Sequence, residues 1–309
     1  MELSLAKGDE PRFERICRIS LPPGCHSDRA VLELVSERFT YRTAEEWAQA
    51  LAEKQLERCG ETLLFHPPLL PEPEVDWHCR IIHEDGEVLV IDKPGNLPCH
   101  PAGRFFNHTL WALLKHKGIA APQFVNRLDR ETSGIVLVAK TAQACKDLRR
   151  EFAAQRVEKH YLAAVEGAVP SAQTARGTLL RAHSEVRKKQ EFRFDSNGPV
   201  STDFTPLVHR NAPELTLLDI HPVGGKLHQI RATLLACGFP LVGDKLYGVD
   251  ETIYLRFAKG QLTPDDILHL RIKRQALHAA TLTLRRRGET CRYESPLPAD
   301  IAGLFHARD

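Results

Sequence analysis

The sequence predicts an α+β fold, with a large mixed domain preceded by a small, partly helical region. Three observations predict it. Beyond about residue 78, strand-like apolar runs interleave with helical periodicity, and no fixed repeat is present. Ahead of that, residues 28–57 carry two short helical stripes. Between the two lies HPPLLPEPEVDW (66–77), with four prolines in eight residues from Pro67, the composition of an extended, semi-rigid linker. The predicted division is 1–76 for the small region and 77–309 for the large domain.

In the small region, Val31, Leu32, Leu34 and Val35 supply the apolar stripe of the first helix, and Trp47, Ala48, Leu51 and Leu56 that of the second. Thr43 followed by Glu46 fits a capping box, in which each side chain takes an otherwise orphan N–H. RIIHEDGEVLVIDKP (80–94) reads as a strand, an Asp-Gly turn and a strand. TLWALLKHK (109–117) reads as a helix, and GIVLVAK (134–140) as a strand buried on both faces. TAQACKDLRREFAAQ (141–155) is a helix with a basic outer face. HYLAAVEG (160–167), VSTDFTPLVHR (200–210) and ELTLLDIHP (214–222) are further strands. LHQIRATLLACG (227–238) is a helix ended by Gly238. ALHAATLTLR (276–285) and ETCRYESPLP (289–298) form a closing hairpin around Gly288.

At 309 residues, with 42% hydrophobic and 27% charged residues, the chain has the size and composition of a soluble globular protein with a sizeable core. No apolar run approaches the roughly 20 residues that cross a bilayer. The N-terminal MELSLAKGDEPRFERICRIS has no apolar secretory core, so a cytoplasmic protein is expected, and a monomer. Eight scattered cysteines without a C-x-x-C pair read as free thiols in that compartment. His78–Cys79 and Cys99–His100 suggest zinc, but structural zinc sites use paired ligands at short fixed spacings, and no metal site is expected. The net charge of +2 argues little. Basic clusters at 146–161, 185–194, 271–275 and 285–287 suit a polyanion partner, although each alone is equally a solvated face.

VNRLDRETSGIVLVAKT (125–141) sets Asp129 between Arg127 and Arg130, just before a Thr-Ser-Gly turn into the buried strand. That places a carboxylate at a strand's mouth, on rigid scaffolding that can hold a reactive group in fixed geometry. Nearby guanidinium groups favour the ionised form of an acid. Such a carboxylate serves as a nucleophile, a general base or half of a salt bridge bracing the turn. Residue types alone leave those three open.

RLDRETSG (127–134) resembles the signature of the RluA family of RNA pseudouridine synthases, H-R-L-D-x-x-T-S-G. The likeness continues in order through DKPGNLPCHP (92–101), EKHYLAAVEG (158–167), GGKLHQIRATLLACGFPLVGDKLYG (224–248) and LHAATLTL…ESPLP (277–298). The resemblance implies an α+β catalytic domain on a mixed, largely antiparallel sheet with a central cleft. It implies isomerisation of uridine to pseudouridine in structured tRNA or rRNA, without metal or organic cofactor. Asp129 then corresponds to the catalytic aspartate, Tyr161 to the active-site tyrosine that stacks on the base or removes its proton, and Arg231 to the arginine paired with the aspartate. Arg127 corresponds to the arginine that accommodates the flipped base. Extruding a base costs roughly a few kcal/mol, which phosphate contacts from the basic clusters would offset.

This chain departs from the family pattern at Asn126, in place of the usual histidine, at Lys226 and Leu227, and at Phe239. Many relatives carry an N-terminal S4 RNA-binding domain, and the helix-helix layout of 28–72 allows a divergent version, although its charge is acidic in EEWAQALAEKQLE. His228 and Gln229 are assigned local hydrogen-bonding roles. Two rival functions remain: a non-catalytic RNA-binding module on the same scaffold, and a hydrolase using Asp129 as base. The second needs another carboxylate or a metal, and the motif offers only Glu131.

Overall fold

The computed structural model describes the chain except residues 1, 7, 26, 69, 187, 249 and 307–309. Leu69 of the proline-rich linker and Arg187 of the 185–194 cluster lie outside the described residues. The chain begins in the large sheet, where β1 (Glu2–Leu3) pairs antiparallel with the strand at Cys79–Glu84.

The small unit then forms mostly on its predicted stripes, except that Ala48 is exposed and Ala50 is buried in its stead. Helices α1 (Asp28–Arg38) and α2 (Ala44–Ala52) accompany an antiparallel sheet of β2 (Cys17–Ser20), β3 (Leu56–Cys59) and β4 (Thr62–Phe65), ordered β2-β4-β3. Val31, Val35, Trp47, Leu63 and Phe65 are buried in their shared core. Both arms of the Thr43–Glu46 capping box are made. Leu56 opens β3 instead of ending the helical stripe, because Lys54, at φ 57°, turns the chain out of the helix.

The large sheet has twelve strands and runs β1-β5-β6-β8-β14-β9-β13-β12-β10-β11, with β7 added on β8 and β15 on β14. Its members are β5 (Cys79–Glu84), β6 (Val88–Lys93), β7 (Gln123–Phe124), β8 (Ser133–Ala139) and β9 (Glu158–Glu166). They continue with β10 (Gln173–Arg181), β11 (Gln190–Phe194), β12 (Val200–Asn211), β13 (Glu214–Val223), β14 (Leu277–Arg286) and β15 (Glu289–Glu294). Helices α3 (Leu110–His116), α4 (Ala142–Ala153), α5 (Gln229–Ala236), α6 (Thr252–Ala258), α7 (Pro264–Leu270) and α8 (Ala299–Ala302) complete the chain. Among the described residues only β8 and β14 pair in parallel, so the sheet is mixed and largely antiparallel as predicted. β10, β11, α6 and α7 were not anticipated. β10 and β11 lie at one end of the sheet, where one-sided burial gives a polar, half-exposed sequence. β15 stops at Glu294, because Pro296 and Pro298 have no amide to donate to a ladder.

Two local devices fix the strand that carries the signature. The Asn126 side chain donates to Ile135 O at 3.1 Å and accepts from Leu137 N–H at 2.7 Å, supplying both partners that a neighbouring strand would give. Gly134, at φ 108°, is pressed against β14: an added Cβ would lie 2.2 Å from Ala279 O. Every residue of β8 is buried, and the loop 125–132 before it is anchored at its base.

Candidate active site

Asp129 sits in the loop between β7 and β8, where its carbonyl accepts from Thr132 N–H at 3.2 Å in a tight turn. The loop is held from below. Lys93 is fully buried at the end of β6, and its ammonium donates to Pro94 O at 2.7 Å and Arg130 O at 3.2 Å. Burial pushes the Lys93 pKa down to about 8, while the charge of Asp129 acts in the opposite sense. Leu97 N–H donates to Arg130 O at 3.1 Å, and the Cys99 thiol to Leu128 O at 3.5 Å.

The carboxylate of Asp129 meets Arg231 across 102 residues of sequence. Arg231 Nη1 donates to Asp129 Oδ2 at 2.8 Å. The rest of the guanidinium is bidentate on Asp244, with Nε to Oδ2 at 2.7 Å and Nη2 to Oδ1 at 2.9 Å. Arg231 lies in the first turn of α5, where a cation opposes the helix dipole; the two carboxylates offset that cost. Burial lowers the Arg231 pKa, but Asp244 and then Asp129 raise it further than burial lowers it. Asp244 is fully buried and burial pushes its pKa up; Arg231 and the N–H groups of Tyr247 and Leu246 bring it below the usual carboxylate range. Asp129 differs from Asp244 in one respect that matters for chemistry: its side chain keeps 30% of its exposure.

Tyr247 closes the array. Its ring lies 4.8 Å from the Arg231 guanidinium carbon. Its hydroxyl accepts from Gln190 N–H at 2.7 Å and lies 2.9 Å from His228 Nδ1. His228 Nε2 is 3.9 Å from Asp129 Oδ2, and burial lowers the imidazole's pKa. With Nδ1 accepting the tyrosine O–H, the neutral ring presents Nε2–H toward Asp129. Gln229 is occupied locally, donating to Ser201 O, Thr202 Oγ1 and Val223 O at 3.0, 3.2 and 2.9 Å.

Tyr161, on β9, packs between the two main apolar clusters. Burial, and after it the charge of Asp129, push its phenol up to about 12, so the hydroxyl is protonated at neutral pH. Among the described residues that hydroxyl has no hydrogen-bond partner. The structure thus brings Asp129, Arg231 and Tyr161 into one neighbourhood. Arg127 is exposed on the same loop, also without a hydrogen-bond or ion-pair partner among the described residues. Its charge is felt at His100.

Asp244, Tyr247 and Lys93 were not singled out from sequence. A signal existed: an arginine in a helix's first turn requires an acid partner, and GDKLYG supplied one. Three other expectations fare differently. Glu131 is engaged by Arg130, Lys245 and Gln275 N–H at 2.8, 2.9 and 3.2 Å, and does not join Asp129 as a second free carboxylate. Cys79 and Cys99 are buried thiols whose pKa values burial raises, to about 12 for Cys79. The basic clusters are only partly neutralised at home, and Lys146, Lys188, Lys273 and Arg285 are exposed without an ion pair among the described residues. Arg150 pairs with Asp147, Arg156 with Glu151, Lys189 with Glu251, Arg193 with Glu191, Arg271 with Glu166, Arg274 with Asp300, and Arg286 with Asp85.

Residues 87–236 match the family described as RNA pseudouridylate synthase. The chain is 36% identical to a ribosomal large subunit pseudouridine synthase D of Xanthomonas campestris, over 81% of this chain and 76% of that protein. It is also 36% identical to a protein of the same name from Nitrosomonas europaea, over 74% of this chain and 64% of that one. A tRNA pseudouridine(31) synthase of Saccharomyces cerevisiae is 32% identical over 54% of this chain and 46% of its own length. Among solved structures, human RNA Pseudouridylate Synthase Domain Containing 1 superposes with a TM-score of 0.57 at 26% identity, covering 71% of this chain and 83% of that one. The chain belongs to the RluA family of RNA pseudouridine synthases, isomerases that act on RNA. No helix among the described residues is long and apolar enough to cross a membrane.

Proposed function

We propose that this protein converts uridine to pseudouridine in structured tRNA or rRNA in the cytoplasm, with Asp129 as the reacting carboxylate. The observation that carries the reading is the Asp129–Arg231–Asp244 array, an accessible carboxylate fixed by an arginine that is itself fixed from behind. The reaction breaks the N1–C1′ bond of uridine, turns the uracil and rejoins it through C5. Asp129 attacks the ribose C1′ or the uracil C6, or takes a ribose proton to give a glycal. Arg231 holds its orientation throughout, which is where positioning lowers a barrier most. Tyr161 offers its ring to the extruded base and keeps an unpartnered hydroxyl for proton transfer. Arg127, exposed and unpaired among the described residues, helps admit the flipped nucleotide. The small unit over residues 17–65 serves as an accessory, S4-like RNA contact in this reading, and the chain acts as a monomer.

The test is pseudouridine mapping in ribosomal and transfer RNA from cells lacking the protein. One or a few sites vanish, return with the wild-type gene, and stay absent with Asp129→Ala. Restoration by Asp129→Ala would establish the non-catalytic RNA-binding module instead. Persistence of every site in the deletion would refute the assignment.

A further inference from the structure

The strand that carries Tyr161 bears a different chemistry on its other face. β9 and β13 pair Tyr161 with Ile220 and Leu162 with Asp219. Strand alternation therefore places Glu158 and His160 opposite Tyr161, with Asp219 and His221 beside them on β13. The two imidazole centroids are 3.6 Å apart, closer than the roughly 4.5–7 Å usual for ring pairs. Asp219 Oδ1 lies 3.4 Å from His160 Nδ1, and Asp219 Oδ2 lies 3.0 Å from His221 Nε2. His160 Nε2 lies 3.2 Å from Glu158 Oε1. Ligand atoms of Glu158, His160 and His221 all fall within 4.8 Å of one another.

We propose that Glu158, His160 and His221 form a divalent transition-metal site of the zinc class, with Asp219 orienting the imidazole of His221 and facing that of His160. Asp219 takes the Nε2–H of His221, which leaves His221 Nδ1 with a free lone pair; its other oxygen faces His160 Nδ1, and a proton held there leaves His160 Nε2 free. A carboxylate bonded to the outer nitrogen of a ligating histidine is the usual support of such ligands. With Nε2 unprotonated, the contact between His160 and Glu158 sets two acceptors against each other, and a cation between them resolves it. Two imidazoles with one carboxylate suit zinc over magnesium or calcium, with a fourth position left to water. Ligands about 2.0–2.2 Å from a tetrahedral ion stand roughly 3.4 Å apart. Closing from 4.8 Å needs a side-chain rotation, available to Glu158, whose side chain is 61% exposed. A cleft of about 360 Å³, lined in part by Glu158 and His221, opens at the site and admits the ion. The spacing rule missed these ligands because they lie on two strands about 60 residues apart. The rival account is an imidazolium at His160 shared by Glu158 and Asp219, with no metal.

The test uses the full chain stripped of metal. Zinc is titrated in competition with a chromogenic chelator, and cobalt(II) is followed by its absorption. One ion per chain is expected, without a thiolate-to-cobalt charge-transfer band, and with affinity at least tenfold weaker in both His221→Ala and Glu158→Gln. Asp129→Ala is expected to bind as the wild type does. Eight cysteines provide the competing ligands, among them the exposed Cys59. A thiolate band, or affinity unchanged in both variants, would overturn the site in favour of those thiols. Absence of binding to the wild type would overturn it in favour of the imidazolium. Glu158→Gln, at an exposed position, keeps the test decisive if His221→Ala does not fold.

Discussion

In Arg231→Lys the positive charge is kept and the planar fork is lost. The guanidinium holds three charge-assisted hydrogen bonds, two to Asp244 at 2.7 and 2.9 Å and one to Asp129 at 2.8 Å. An ammonium at the end of a lysine chain cannot span both carboxylates with that geometry. It will stay with Asp244, because leaving a buried carboxylate unpaired is the costlier outcome. Asp129 then loses one hydrogen bond to a charged partner, worth about 1.5–3 kcal/mol. Expressed fully in the transition state, that is roughly a 10- to 150-fold loss of turnover. RNA affinity should change by less than about twofold, since Arg231 is buried behind the carboxylate and faces no phosphate. The assay is single-turnover pseudouridine formation on RNA from the deletion strain, with filter binding on the same RNA and denaturant melts of both proteins. Wild-type turnover in the lysine variant would refute the positioning argument. An equal loss of affinity and turnover would reassign Arg231 to the RNA backbone.

Three further outcomes are expected. Glu131→Gln should keep turnover within about threefold while lowering stability by about 1–3 kcal/mol, since its carboxylate is spent on Lys245, Arg130 and Gln275 N–H; a loss as deep as that of Asp129→Ala would indicate a two-carboxylate reaction. Tyr161→Phe should melt as the wild type does, with no hydrogen bond lost in the free protein, yet lose turnover at least tenfold with RNA affinity intact; full activity would restrict the tyrosine to stacking. Burial lowers the pKa of His100, His228 and His278 below the ordinary 6.5. The unfolded chain therefore binds protons that the folded one refuses, so this stability is present above 6.5 and lost as pH falls below it. The denaturation midpoint should drop between about pH 7.5 and about pH 5.5, and an unchanged midpoint would contradict the assignment.

Elements whose burial writes a complete pattern were legible. β8 is apolar throughout because both faces are covered, and Thr43–Glu46 announces α2 because a helix start needs those acceptors. β10 and β11 were not, since a half-exposed strand at the end of a sheet satisfies alternation with few apolar residues. Basic clusters misled for a related reason. Sequence shows a run of cations but not the acid that folding brings to each, and Arg286 finds Asp85 from 201 residues away. At the site, Asp129 was legible through its motif, whereas Asp244 was not, because a buried acid reads like any other until its partner is placed.

That neutralisation reaches only part of the basic surface. Cations already spent on neighbouring carboxylates release few counterions when a phosphate arrives, so they add little to affinity or to its salt dependence. Arg127 and Lys188 are exposed and without such partners among the described residues; Arg127 acts electrostatically on His100, and Lys188 on His228 beside the carboxylate. Other exposed cations, among them Arg104, Lys146, Arg176, Lys226, Lys273 and Arg285, also lack an ion pair among the described residues and remain open to phosphate. A target base that is already splayed costs least to extrude. The buried arginine holds the carboxylate in place, paired with Asp244 as well as with Asp129.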